Sequence, residues 1–245
     1  MPADRAALSF PTGYNERLLT RRGLRRSYHL ARFEWTARML RQLQPRGFSL
    51  IELGCFDGRL LEMIDDEAGS YVGIDANWEG GIDRAIEQFR GRARTRFLQS
   101  CDPQVFGSFR NKQFDCSVAL ETLEHLPEKE LPQYLDGLAR VTKHYCLVTV
   151  PNELGPVFLA KYLAKWAYYR DADHYRFKEI VAATLRRSHE VERCEHKGFD
   201  YREIVRELGC RFETVTVEAV FPRWVPGSFA LTIGIVARAV GASRS

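Results

Sequence analysis

The sequence predicts an α/β fold built around a mostly parallel sheet. Short apolar segments alternate with helix-length segments over roughly 120 residues, which is the pattern of successive βαβ units. The apolar segments lack the every-second-residue alternation of half-exposed strands, so we expect strands buried on both faces. A glycine-rich turn directly follows the first of these segments, as at the first strand-to-helix junction of many parallel sheets.

Five strands and three helices are predicted before Pro151. The strands cover 49–53, 71–74, 95–98, 114–120 and 145–150. Helical spacing of apolar residues predicts helices over 28–43, 60–64 and 128–141. After Pro151 the pattern predicts helix over 157–169, continuing patchily to Arg187, and another helix over 201–208. Two last strands, 212–220 and 231–239, are joined by a loop too short for a crossover helix, which favours an antiparallel hairpin.

Length and composition fit one large folded domain. The chain has 245 residues, of which 45% are hydrophobic and 28% charged, and this balance argues against disorder. The formal net charge is only +4, whereas a dedicated nucleic-acid-binding protein usually carries a stronger, clustered excess. Arginine-rich segments at 21–26 and 90–96 are interpreted as solvated faces. No DNA partner is expected, and RNA is not favoured.

Cysteine spacing and the N-terminus exclude further classes. The six cysteines form no C-x-x-C pair, so neither a zinc site nor a dithiol redox site is supported, and no metal is expected. The first ten residues lack the apolar core of a signal peptide. No stretch approaches the ~18 apolar residues of a membrane-spanning helix. A cytoplasmic location is the resulting expectation.

The glycine-rich turn and a later acid together indicate a nucleoside site. Gly54 and Gly58 follow the first strand, and Asp75 ends the second, about 20 residues after Gly54. A carboxylate in that place can accept bonds from both ribose hydroxyls. Phe56 and Arg59 stand where a dinucleotide fingerprint needs glycines, and a P-loop is absent. The pattern favours a nucleoside without pyrophosphate.

These segments resemble the class I S-adenosylmethionine-dependent methyltransferase family. The likeness runs in order from about Phe48 to Ala239, with Phe56 in place of the family's middle glycine. The matching segments are 51–58 for the E/D-x-G-x-G-x-G motif, 73–75 for the ribose acid, 100–102 near adenine, 114–121 with 123–126 for the fourth strand and its "EHL" ending, and 196–201 before the last helix.

The resemblance implies a Rossmann-like seven-stranded mostly parallel sheet with helices on both faces and an antiparallel last strand. It divides the chain into an N-terminal helical extension, 1–47, and a methyltransferase domain, 48–245, with a helical insert after strand five at about 155–198. The implied cofactor is S-adenosylmethionine. The ammonium group of this cofactor would meet the carboxylates at the end of the first strand. The implied cofactor-binding residues are Glu52, Gly54, Cys55, Phe56, Asp57, Gly58, Asp75, Ala76, Asp102, Leu120 and Glu121.

The expected reaction is methyl transfer to a small-molecule, lipid-linked or sugar-linked acceptor at oxygen. A general base is needed only when the acceptor holds its proton, and His196 is the first candidate, with His125 the second. The aromatic, lysine-containing segment 156–170 is expected to cover the acceptor, to contact a membrane surface, or simply to pack on the sheet. RNA methylation and a non-catalytic binding subunit are the alternative functions.

Overall fold

The computed structural model describes residues 23–169, 175–192 and 197–241. It contains a seven-stranded sheet with the order β3-β2-β1-β4-β5-β7-β6. The strands are β1 (Phe48–Leu53), β2 (Ala68–Asp75), β3 (Thr95–Gln99), β4 (Phe114–Leu120), β5 (Thr142–Pro151), β6 (Thr214–Phe221) and β7 (Thr232–Arg238). Strands β1 to β5 pair in parallel, and β7 pairs antiparallel with both β5 and β6. The predicted Rossmann-like fold is confirmed.

The order in which the chain adds strands to the sheet changes direction between β1 and β4. From β1 the chain moves outward to β2 and β3, then returns to add β4 and β5 on the other side. The helices that follow β1 and β4 therefore lie on opposite faces of the sheet. A crevice opens between the carboxyl ends of these two strands. Open α/β sheets bind ligands at this switch point.

Helices cover both faces of the sheet, as predicted. They are α1 (Leu24–Leu43), α2 (Arg59–Met63), α3 (Gly81–Gln88), α4 (Leu131–Val141), α5 (Pro156–Tyr169), α6 (Phe177–Thr184) and α7 (Tyr201–Gly209). Helices α1, α2 and α3 share a core with one face, and α4 and α7 share a core with the other. Trp35 of α1 is fully buried, so this helix is part of the main core.

The structure corrects several predicted boundaries. Helix α4 begins at Leu131, later than predicted, because the Pro127 carbonyl accepts bonds from the Glu130 and Leu131 amides and closes a turn first. Strand β5 continues through Pro151, which pairs with Thr232. Helix α3 was not predicted at all.

Helices α5 and α6 pack against each other over a small separate core. Phe158 of α5 meets Ala182 and Ala183 of α6 there, with Leu154 and Val191 completing the cluster. His196, predicted as the first catalytic candidate, lies outside the described residues. None of the helices within the described ranges is both long and apolar enough to cross a membrane.

Candidate active site

A cavity of about 1060 Å³ opens at the carboxyl edge of the sheet. Part of its wall is formed by segments at the ends of four neighbouring parallel strands. These are 52–56 at the end of β1, Asp75, Ala76 and Trp78 after β2, Ser100 and Cys101 after β3, and 120–122 at the end of β4. Parallel strands end at one edge, so the topology gathers residues that are far apart in sequence.

Gly54 allows two loops to approach each other closely at the floor of this cavity. Its φ is 77°, in the left-handed region, and its amide donates a 2.7 Å bond to the Ile74 carbonyl. A Cβ at this position would lie 2.1 Å from Oγ1 of Thr122, in the loop after β4. Any other residue would push the β1 and β4 loops apart.

Phe56 has a left-handed backbone conformation, which glycine adopts more readily than other residues. Its φ of 45° is left-handed, and its amide donates a 3.1 Å bond to Oδ2 of Asp75. The ring lies 5.8 Å from the Trp78 ring, and the Arg84 guanidinium lies 5.3 Å from the Phe56 ring centroid. The Phe56 side chain therefore forms an aromatic wall at this turn.

Two backbone amides hold the Asp75 carboxylate in place. Oδ2 accepts the Phe56 amide, and Oδ1 accepts the Asn77 amide at 2.8 Å. Each carboxylate oxygen can accept more than one bond, so both retain capacity for further donors. Such a fixed carboxylate at the cavity wall suits a vicinal diol.

Glu52 lies at the base of the cavity as a buried carboxyl group. It is 1% exposed, and the Tyr71 hydroxyl donates a 2.5 Å bond to its Oε2. Burial raises the pKa of Glu52 to about 8, although the Tyr71 bond opposes this shift. The group therefore carries a proton at neutral pH for most of the time, until a cationic ligand arrives to lower its pKa.

Glu121 adopts an unusual backbone conformation at the end of β4. Its φ is 48°, a left-handed value that costs a non-glycine residue free energy and clusters at functional sites. Its carboxylate forms an ion pair with Arg32 of α1, and the Thr232 hydroxyl donates to its Oε1 at 3.4 Å. The ion pair ties α1 to the carboxyl end of β4.

Helix α1 forms a cavity wall that the sequence did not reveal. Tyr28, His29, Arg32 and Phe33 all line the cavity. Burial and the nearby Arg32 lower the pKa of His29 to about 4, so its imidazole is neutral at physiological pH. Its Nδ1 is buried and has no hydrogen-bond partner within the described part of the chain. Buried polar atoms are nearly always satisfied, so a ligand is a natural partner.

Glu124 and His125 occupy contrasting positions in the turn after β4. Glu124 is 4% exposed, and neither carboxylate oxygen has a hydrogen-bond partner among the residues described. Burial, together with Glu121, raises the pKa of Glu124 well above its usual range, so the group is a neutral acid. His125 is exposed at the cavity rim.

Most of the predicted site residues come together at this cavity. The lining includes Glu52, Gly54, Cys55, Phe56, Asp75, Ala76, Leu120, Glu121 and His125. Asp57, Gly58 and Asp102 are not among the lining residues. Asp102 instead accepts a 2.8 Å bond from the Gln104 amide and caps a short turn.

Comparison with known proteins identifies the family. A family model described as a methyltransferase domain matches residues 23–189, more than half of the chain. The chain belongs to this methyltransferase family. It is a class I enzyme that depends on S-adenosylmethionine. No curated protein sequence matches it.

Solved methyltransferase structures share the fold at low sequence identity. The methyltransferase domain of bacterial CtHen1 is 17% identical, with a TM-score of 0.57 over 86% of this chain and 98% of that one. A SAM-dependent methyltransferase from Aquifex aeolicus is 17% identical, with a TM-score of 0.56 over 86% and 93%. Magnesium protoporphyrin IX methyltransferase from Synechocystis PCC 6803, with bound SAM, is 14% identical, with a TM-score of 0.54 over 94% and 86%.

The residues of the cavity fit the methyltransferase cofactor. Asp75 would hold the ribose hydroxyls, the Phe56 and Trp78 rings would flank the adenosine, and Glu52 would face the ammonium end. The cavity volume of about 1060 Å³ is close to the upper end of the range of about 300–1,000 Å³ for pockets that bury drug-sized ligands. The wall formed by α1 belongs to the same cavity as these residues.

Proposed function

We propose that this methyltransferase transfers the methyl group of S-adenosylmethionine to a hydroxyl oxygen of a small-molecule, lipid-linked or sugar-linked acceptor. The observation that carries the proposal is the buried Nδ1 of His29, a residue that lines the cavity, which has no hydrogen-bond partner among the described residues. When bound, the cofactor supplies a methyl group already activated by its sulfonium. The protein then has mainly to orient the accepting oxygen, and positioning of this kind supplies much of the rate.

His29 is suited to orienting a hydroxyl group rather than to removing its proton outright. An imidazole with a pKa near 4 accepts a hydrogen bond well but is a weak base. A bond from the acceptor hydroxyl to this ring would direct an oxygen lone pair toward the methyl group. His125 at the rim and His196 remain the proposed proton acceptors.

The charge of the cavity favours a neutral or cationic acceptor. Six lining residues carry a carboxyl group. Arg32 also lines the cavity, and its guanidinium is already paired with Glu121. Even with Glu52 and Glu124 protonated, the remaining carboxylates outnumber the cations. A polyanion such as RNA would be repelled here.

The arginine-rich segment 90–96 gives the RNA alternative no support either. Arg90 pairs with Glu87, and Arg92 pairs with Asp65. The segment leads into the amino end of β3, whereas the cavity lies at the carboxyl ends of the strands. Local ion pairing at the opposite edge of the sheet fits a solvated face.

Radiolabelled methyl transfer tests the proposed function. The chain is incubated with methyl-tritiated S-adenosylmethionine and separate panels of phenols, sterol and prenyl alcohols, glycosides, amines and total RNA. We expect label in a base-stable ether. Label only in RNA or in amines contradicts the proposed acceptor class, and cofactor binding without transfer to any panel contradicts every acceptor proposed here.

Single histidine variants separate the roles within that reaction. Loss of the base is expected to lower turnover by about 10²–10⁴-fold for His125→Ala or His196→Ala. His29→Ala is expected to lower kcat at unchanged cofactor affinity. Its remaining activity should keep the pH profile of the wild type, because His29 does not titrate near neutral pH. A wild-type rate for His29→Ala removes it from the acceptor site.

A further inference from the structure

Large apolar side chains are exposed on three segments that contact one another. The segments are α5, α6 and the loop between β6 and β7. Their exposed fractions lie between 42% for Val181 and 85% for Trp224. The six side chains, called the apolar face below, are Leu163, Trp166, Phe177, Val181, Trp224 and Phe229.

Helical spacing explains why these side chains point away from the protein. Leu163 and Trp166 are three residues apart on α5, and Phe177 and Val181 are four apart on α6, so each pair shares one helix side. On α6 the opposite side carries Ala182 and Ala183 of the small core, and on α5 that core uses Phe158 and Tyr162 rather than the exposed Leu163 and Trp166. The apolar face is thus not needed to hold α5 and α6 together.

The apolar face lies at the same edge of the sheet as the cavity. Helix α5 packs against the turn at Gly227–Phe229. The Asn152 side chain, just after β5, donates to the Ser228 carbonyl at 3.2 Å. Lys161 of α5 forms a 2.6 Å ion pair with Glu153, which lines the cavity. These contacts connect the apolar face to the cavity wall.

Exposed cations are the sequence neighbours of two of these aromatic residues. Lys178 follows Phe177, Arg223 precedes Trp224, and Arg176 is also exposed. Protein–protein interfaces are depleted of lysine, particularly at their centre. Tryptophan and phenylalanine next to lysine and arginine are instead typical of surfaces that enter the boundary between lipid headgroups and acyl chains.

We propose that the apolar face docks on a lipid bilayer that carries anionic headgroups. The aromatic and aliphatic side chains enter the acyl boundary, and Arg176, Lys178 and Arg223 bind the headgroups. Docking brings the carboxyl edge of the sheet close to the bilayer. Given the proposed function, this selects a lipid-linked hydroxyl as the acceptor.

Vesicle sedimentation tests the docking without reference to catalysis. Wild-type protein is spun with sucrose-loaded vesicles of phosphatidylcholine alone or with phosphatidylglycerol. We expect binding to the mixed vesicles, weakened by salt. Phe177→Ser with Trp224→Ser should lower the partition coefficient by about tenfold or more, since burial of one such side chain exceeds a factor of ten. The matched control is Ile86→Ser with Val217→Ser, which removes exposed apolar side chains elsewhere and should bind as the wild type does.

Three results would overturn the docking. They are wild-type protein that stays in the supernatant with mixed vesicles, equal loss in the control variant, and a wild-type dimer that the Phe177 and Trp224 changes convert to a monomer. The last would mean that a second copy covers the face. Retained thermal melting and S-adenosylmethionine affinity show that the variants are folded, and none of these results bears on methyl transfer to soluble acceptors.

Discussion

Gly54 and Asp75, two of the cofactor-binding residues predicted from the sequence, lie just after β1 and at the end of β2 and line the cavity. The sequence predicted Gly54 and Asp75 because a tight turn and a ribose acid have fixed places in a parallel sheet. It did not predict Trp78, since the 3₁₀ turn that presents Trp78 depends on left-handed residues such as Asn77 and Glu79 that carry no glycine signal. Phe56 shows the same limit, because only the structure reveals that phenylalanine keeps the left-handed turn.

Asp75→Ala is expected to weaken S-adenosylmethionine binding by about 2–4 kcal/mol. Charge-assisted bonds contribute ~1.5–3 kcal/mol each, and water partly replaces them. The change also frees the Phe56 and Asn77 amides from their acceptor. Titration calorimetry should record roughly a 30- to 800-fold rise in Kd. Asp83→Ala, which removes a nearby carboxylate that accepts a bond from the Asn77 side chain, serves as the control and should leave Kd unchanged.

Glu52 is expected to make the cofactor-free protein less stable as pH rises. Its folded pKa of about 8 lies above its ordinary 4.5, so the folded state binds the proton more tightly. This contribution is full below the ordinary value and is lost as pH rises toward 8, at no more than about 1.4 kcal/mol per pH unit. Denaturant unfolding between pH 5 and 8 should show a smaller decline for Glu52→Gln. Parallel curves for both proteins would mean that Glu52 is ionised at neutral pH.

At the scale of elements, helix α1 both packs in the core of the protein and forms a wall of the cavity. The sequence predicted a helix here, but its apolar residues could not show which face of the sheet it covers or that His29 and Arg32 turn toward the strand ends. That information lies in long-range packing. A Cβ on Gly234 of β7 would lie 2.5 Å from the Trp35 ring. Helix α1 can therefore pack this closely on β7 only because residue 234 has no side chain. Helix α3 was not predicted because it has only eight residues and begins directly after a turn with left-handed residues, which gives no helix-start signal in the sequence.

Trp35→Ala is expected to destabilise the protein by about 3–5 kcal/mol and to lower Tm by about 10 °C. The ring is fully buried, and its Nε1 donates a 3.0 Å bond to Glu218. The variant should also bind acceptor poorly, because α1 carries one wall of the cavity. Arg38→Ala breaks only a half-exposed 3.8 Å ion pair with the same Glu218 and should cost less than about 1 kcal/mol. Similar melting curves for the two variants would place α1 outside the cooperative core.

At the scale of the whole molecule, one ligand site couples both halves of the sheet. The cavity takes walls from β1 and β2 on one side of the switch point, from β4 on the other, and from α1 across both. Unfolding any of these elements destroys the site. Ligand binding should therefore stabilise the entire described fold as one unit, rather than a local loop.

S-adenosylmethionine at one hundred times its Kd is expected to raise the free energy of unfolding by about 2.7 kcal/mol. For a chain of this size that corresponds to a Tm increase of about 5–10 °C. NAD at the same concentration should give no increase, because Phe56 and Arg59 replace the glycines that a pyrophosphate requires. Thermal melting followed by circular dichroism and by tryptophan fluorescence should shift together, since Trp35 and Trp78 report on the core and on the cavity. A shift with NAD, or a shift seen only by fluorescence, would contradict a single cofactor site built by the whole sheet.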